Sequence, residues 1–422
     1  MSAQAHTTTT YNVPSSIAGL GGRALVAGII ALVICIAGAF LSPAGFWRAY
    51  LVGYVFWTGV SVGSLAIIML HHLSGGGWGV VIRRPLEAAA RTLPVMAILF
   101  LPIAFAVFTH RLYPWTIPAE QDLEIIKHKA LYLNVPFFLG RTVFYFAAWL
   151  GLSYFLSKFS LQQDRTEDPR ERRQLKERMQ TVSGPGILLF GLTVSFAAID
   201  WVMSLEPEWF STIYGLLIMV GWGVSALAFA IITTVILSRE ERFAHVYQAR
   251  HFHDHGKLLL AFVMLWAYFS FSQFLIIWSG NLPEEIPWYL RRLFGGWGYV
   301  AVALVVFHFA LPFILLLSRE RKRRGRALVL VALLVLVMRV VDLFWTIAPS
   351  VLAMPQHGGG GTEVAHGGTL PDVVAYLLNF ITPIAIGGFW LWWYARELAS
   401  RPLLPLGDEG LANALEEPNG HH

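Results

Sequence analysis

Cysteine is almost absent: among 422 residues only Cys35 is one, and it sits in an apolar run. A disulfide within the chain, a cysteine-ligated iron–sulfur cluster and covalent c-type haem attachment are all excluded by that count. Charge is scarce as well, at 14% of residues, where a soluble domain carries about a quarter. No His-Glu-x-x-His spacing occurs, so no metalloprotease-like metal site is written into the sequence. A haem held between helices needs histidine pairs at matching depth. Only His308 lies in the middle of an apolar run, whereas His71, His72, His110 and His128 lie at the edges. The glycine-rich stretches at 75–77 and 356–368, the latter with His357 and His366, lack the Lys and Ser/Thr that complete a phosphate cradle. The first reads as the stop of the helix carrying His71 and His72, the second as a mobile external loop. The net charge of +5 gathers into no basic stripe interleaved with aromatic residues, which argues against nucleic acid.

Apolar surface is what the sequence has in excess. Hydrophobic residues make up 56% of it, with 16 Trp, 29 Phe and 14 Tyr. A soluble fold could not hide so much, whereas a bilayer accepts apolar flanks along each helix and favours Trp and Tyr at the headgroups. Ten runs are near or above the length needed to span: 24–41, 50–72, 86–108, 131–156, 184–204, 212–237, 258–280, 296–317, 327–348 and 373–394. The first is longer than a signal-peptide core and is flanked only by Arg23, so it reads as a retained span.

The basic residues give an orientation. Arg23, the arginines from Arg83 to Arg91, those between Lys158 and Arg178, those from Arg239 to Arg250, those from Arg319 to Arg326, and Arg396 and Arg401 all fall on one side. Only Arg48, Arg111, Lys127, Lys129, Arg291 and Arg292 fall on the other. The positive-inside rule then predicts an all-α integral membrane protein with both termini cytoplasmic. The expected layout is a tail at 1–23, a membrane domain at 24–396 and a second tail at 397–422. The segment 164–180, dense in both charge signs and broken by Pro169, reads as a solvated helix-turn.

A charge at mid-span costs about 2.5–3.5 kcal/mol, so each one needs a partner or a wet cavity. Arg339 and Asp342 are three residues apart and share a helical face, where they either pin helices together or carry protons. Asp200 is expected to face Arg141 on the preceding antiparallel run, with the same two readings open. His308 is either packed or a relay, imidazole being the side chain that titrates nearest neutrality. His71 and His72, with Asp254 and Lys257 opening the seventh run from the same side, form either a proton entrance or an interfacial anchor.

Three stretches carry a resemblance: 200–215 (DWVMSLEPEWFSTIYG), 253–262 (HDHGKLLLAF), and SQF at 272–274 continuing to NLPEEIPWY at 281–289. With the helix count, they resemble the polysulfide-reductase-like (NrfD-type) membrane subunits of alternative complex III, more closely the second of its two related subunits. The resemblance implies two four-helix bundles, about 48–204 and 212–348, with peripheral helices at 24–41 and 373–394. It implies a bacterial inner membrane and a complex that oxidises quinol and passes electrons to a cytochrome c or terminal oxidase. Iron–sulfur clusters and haem c then belong to partner subunits, beside a homologous NrfD-type subunit, other membrane subunits and lipids. This chain itself is expected to bind no covalent cofactor and to be non-catalytic. Its expected role is a proton pathway through Asp200, Arg141, His308, Arg339 and Asp342, with His71, His72 and Lys257 at the cytoplasmic mouth. Other readings remain open. The chain binds quinone in an external pocket lined by Trp201, Glu206, His128 and Tyr214. Alternatively it is a stand-alone transporter, for which Pro94, Pro102, Pro136, Pro312 and Pro383 kink candidate helices, or it is a scaffold.

Overall fold

The computed structural model describes residues 13, 15–240, 243, 246–351 and 370–415; the glycine-rich 356–368 stretch lies outside the described residues. Among them all regular structure is helical. Ten helices are long and apolar enough to cross a membrane: α1 Gly19–Leu41, α2 Pro43–Ser74, α3 Arg83–Phe108, α4 Val135–Arg165, α5 Pro169–Leu205, α6 Tyr214–Leu237, α7 Ala249–Gly280, α8 Trp297–Leu317, α9 Gly325–Ser350 and α10 Leu370–Ala399.

Most helices outrun their apolar segments, for local reasons. Asn134 caps α4 by accepting from the Phe137 backbone N–H at 2.9 Å, with Pro136 in the first turn. Asp168 caps α5 in the same way, accepting from Arg170 N–H at 2.9 Å. The charged 164–180 segment is therefore a turn only at 166–168, because both flanking helices run on through it. In α3, Pro94 and Pro102 each fall in the first turn of a new short helix, where a proline neither wastes a donor nor strikes a preceding carbonyl.

The molecule is organised around α2 and α6, whose most apolar windows are 94% and 72% buried, against 22% for α1, α7 and α8. The two central helices meet along a glycine seam: a Cβ on Gly63 would lie 2.3 Å from the Trp222 carbonyl oxygen. α3, α5, α9 and α10 pack around α2, while α5, α7 and α9 pack around α6. α10 is tied to α2 through Trp57, whose indole donates to the Pro383 carbonyl at 2.7 Å, and through Trp390, which donates to Ser61 at 2.8 Å.

Contacts between loops define two faces. On one, here the basic face, Arg83 meets Asp408 at 2.7 Å, Arg84 meets Asp164, and His255 meets the Trp78 carbonyl at 2.7 Å. On the opposite face, Tyr113 donates to the Trp201 carbonyl at 2.9 Å and Lys129 to the Pro207 carbonyl at 2.5 Å.

Candidate functional site

Arg339, Asp342, Thr346 and Ser350 follow one another along α9 at spacings of three, four and four, so they share one helical face. All four are buried, and toward the basic face the same side of α9 continues as buried Val335, Ala332 and Leu328. A polar stripe thus runs from mid-span to the opposite face and stops at Arg339. Arg339 Nη1 donates to Asp342 Oδ2. Trp266 of α7 donates to the same oxygen at 3.1 Å, and the Thr346 hydroxyl donates to the Asp342 carbonyl at 2.8 Å.

At its outer end the stripe meets Arg292, on the short helix Ile286–Leu293. Arg292 Nη2 donates to the Thr346 carbonyl at 2.8 Å, to the Ser350 hydroxyl at 2.5 Å and to Glu206 Oε1 at 2.7 Å. Arg291 takes the other oxygen of Glu206. The Trp288 ring lies 3.8 Å beneath the Arg292 guanidinium carbon, a cation–π contact away from water. Burial alone raises the Glu206 carboxyl, but the charges of Arg292 and Arg291 outweigh it and hold its pKa below the ordinary 4.5.

At the inner end His308 of α8 sets its ring edge-on to Trp266, with centroids 4.3 Å apart. Pro312 explains the local backbone. A proline ring strikes the carbonyl four residues earlier, here that of His308. The helix widens to a π-turn over Leu304–Ala310, and the Leu311 N–H reaches back to the Val306 carbonyl. Arg339 occupies a notch at Gly221 of α6, where any Cβ would lie 2.2 Å from its guanidinium carbon. Both ring nitrogens of His308, and Nε and Nη2 of Arg339, are buried without a protein hydrogen-bond partner. Each such atom costs about 1–3 kcal/mol, and polar groups left in this way are those that hold water or exchange protons.

In the other half, Arg141 grips Asp200 with two bonds of 2.8 Å, and Tyr145 donates to the same carboxylate at 2.6 Å. The guanidinium is sandwiched near the rings of Tyr132 and Phe137, at 3.8 and 4.3 Å. The contact expected between α4 and α5 is present. At the basic face His71 and His72 are buried at the end of α2, the first packed edge-on against Trp78, and His71 Nδ1 and His72 Nε2 lack a protein partner.

Lys257 is not brought to these histidines. It pairs with Asp254 at 3.2 Å on the surface, because two residues of helix turn it about 200° away from buried His255. His255 takes the place expected of it, reaching Trp78. Trp201, Glu206, His128 and Tyr214 lie in different surroundings. Trp201 is buried among Tyr54, Phe100 and Trp149, while His128 is exposed beside Glu124 at 3.9 Å. Glu206 is engaged by the arginines, and Tyr214 lies within electrostatic reach of Glu206, Arg292 and Arg339.

Sequence reasoning missed Thr346, Ser350, Trp266 and Arg292. The hydroxyls continue the Arg339–Asp342 spacing and were findable; the other two come from different elements. It also missed the knot at the basic face, where Glu87 joins Arg83 at 2.9 Å, Arg84 at 2.5 Å and the Ser160 hydroxyl at 2.6 Å. Among the described residues no group of three His, Cys, Asp or Glu converges as a metal site. In comparison with known proteins, no family model matches this sequence and no curated protein matches it.

Proposed function

We propose that the chain is a membrane subunit of a bacterial respiratory quinol:electron-acceptor oxidoreductase of the alternative-complex-III type, and that it supplies a proton pathway coupled to quinol oxidation. The observation that carries this reading is the Arg339–Asp342 pair at mid-span, with His308 beside it and the Thr346–Ser350 stripe leading to Glu206 and Arg292. A guanidinium partner favours the ionised carboxylate, so Asp342 takes a proton only transiently, when the pair opens, and gives it up as the pair closes. An imidazole alongside extends the relay toward the midplane. Asp200 with Arg141 and Tyr145 is the corresponding group of the first half, and His71, His72 and His255 line the basic face.

The assignment to a respiratory complex rests on the resemblance of 200–215, 253–262 and 272–289. Two of those stretches supply Glu206 and the turn leading to Arg292. In this reading α2–α5 and α6–α9 form two bundles flanked by α1 and α10, both termini are cytoplasmic, and the membrane is the bacterial inner membrane. Partners are a homologous NrfD-type subunit, further membrane subunits and the subunits bearing iron–sulfur clusters and haem c. The electrons move there.

Asp342→Asn in the assembled complex, reconstituted in liposomes, tests this. The variant keeps shape and hydrogen bonding but cannot accept a proton. Proton translocation driven by quinol oxidation is expected to fall to background while the complex still assembles. Unchanged oxidation and unchanged translocation refute the pathway.

A further inference from the structure

One corner of the basic face is unlike the rest. The nine residues 318–326, which join α8 to the first turn of α9, contain Arg319, Arg321, Lys322, Arg323, Arg324 and Arg326 against a single acid, Glu320. Their net charge of +5 equals that of the whole chain. Elsewhere on this face the basic side chains are largely answered. Arg83 and Arg84 are engaged by Glu87, Asp408 and Asp164, Arg91 meets Glu397 at 2.6 Å, and the segment 158–178 sets five acids against seven bases. Among the described residues, Arg324 is the one base of the corner with a carboxylate partner, that of Glu320.

The corner is also built in a definite place. Its short helix Arg319–Arg323 packs on α7, with the Lys322 stem laid against Gly256. Lys257 and His253 of α7 border the corner, where His253 feels Lys257, Lys322 and Arg319 against Asp254, the carboxylate that Lys257 pairs with at 3.2 Å. Arg319, Arg321, Arg323 and Arg326 stay exposed, and just beneath them Ile314, Leu317 and Leu330 are exposed apolar side chains at the ends of α8 and α9. Unpaired cations at the membrane boundary above an apolar flank match a lipid, with its phosphate at the arginines and its chains along the helices. The positive-inside bias accounts for the sign of the charge but not for its concentration in one unpaired segment.

We propose that the α8–α9 corner binds the headgroup of an anionic phospholipid of the leaflet that the basic face meets. The full chain in detergent, challenged with phosphatidylglycerol or phosphatidylcholine and read by native mass spectrometry, is the test. Phosphatidylglycerol is expected to be retained in preference. Retention is expected to drop on the order of a thousandfold in R319Q/R321Q/R323Q/R326Q. It is expected to persist in the charge-preserving R319K/R321K/R323K/R326K, which keeps the topological signal, and to rise in Glu320→Gln. Equal retention by the glutamine variant and the native chain overturns the proposal. Displacement of the lipid by equimolar inorganic phosphate overturns it too, in favour of a free-phosphate site. So does loss of a partner subunit, rather than of lipid, on purifying the glutamine variant from the assembled complex, which makes the corner a protein interface.

Discussion

Glu206 shows how much a single carboxylate does here, since two arginines close on it and Ser350 and Thr346 hang from one of them. Its pKa is depressed, so the stability it contributes is fully present above the ordinary value of 4.5 and is lost as pH falls through the lower folded value. Acidification below about 4.5 is therefore expected to lower the thermal unfolding midpoint in detergent. Glu206→Gln is expected to be less stable than the native chain at neutral pH and to lack this share of the acid response. Matching midpoints at neutral pH would show that the carboxylate contributes nothing. From the sequence the residue stands only as one wall of the external quinone pocket of a competing reading. The arginines that engage it lie 85 and 86 positions away, a distance no local pattern bridges.

Among the elements α8 carries the most informative irregularity. Hydropathy gives its span, and Pro312 marks a kink, but the consequence depends on the residue four positions earlier being His308. The imidazole within the π-turn lies edge-on to Trp266, and its backbone carbonyl lacks the usual donor because the residue four positions on is Pro312. π-Turns of this kind gather at functional sites. In Pro312→Ala both the clash and the missing donor disappear, so α8 is expected to tighten to regular α-helix. Removing one residue from the turn rotates what precedes it by about 100°, carrying His308 away from Trp266 and Arg339. Electron cryo-microscopy of the variant reads this directly. A ring still edge-on to Trp266 would assign the turn to packing rather than to the proline. On α9 the i, i+3 rule made the Arg339–Asp342 pair legible, and extending it by four and four residues finds Thr346 and Ser350 as well.

At the scale of the whole molecule, the segment after α10 ties the ends of three helices, α3, α4 and α7, at the basic face. Asp408 pairs with Arg83 at 2.7 Å and the Gly407 N–H donates to Asp164 at 3.0 Å, while Arg250 donates to the Ala414 carbonyl at 2.7 Å. The segment was expected to be a tail, and polar composition alone reads that way. Asp408→Ala leaves Arg83 buried with Glu87 as its remaining carboxylate, at a cost of about 1–3 kcal/mol. A lower unfolding midpoint is expected, with faster amide hydrogen exchange at both 77–80 and 249–255, because one strap holds both. Exchange unchanged at both sites would show them to be held by other contacts.

The sequence by itself determined the ten spans, because bilayer thickness sets the length of an apolar run whatever its neighbours are. It also determined the pairs that chain geometry makes local: Arg339 with Asp342 on one helix, and Arg141 with Asp200 on adjacent antiparallel helices. Only the tertiary structure decided that Trp266 meets Asp342, that Arg292 meets Ser350, that His255 rather than Lys257 meets the Trp78 carbonyl, and that Asp408 reaches Arg83. Those meetings depend on the rotation of each helix about its axis. Rotation is fixed by all packed neighbours at once, as at the Gly63 seam and the Gly221 notch, and no single stretch of sequence contains it.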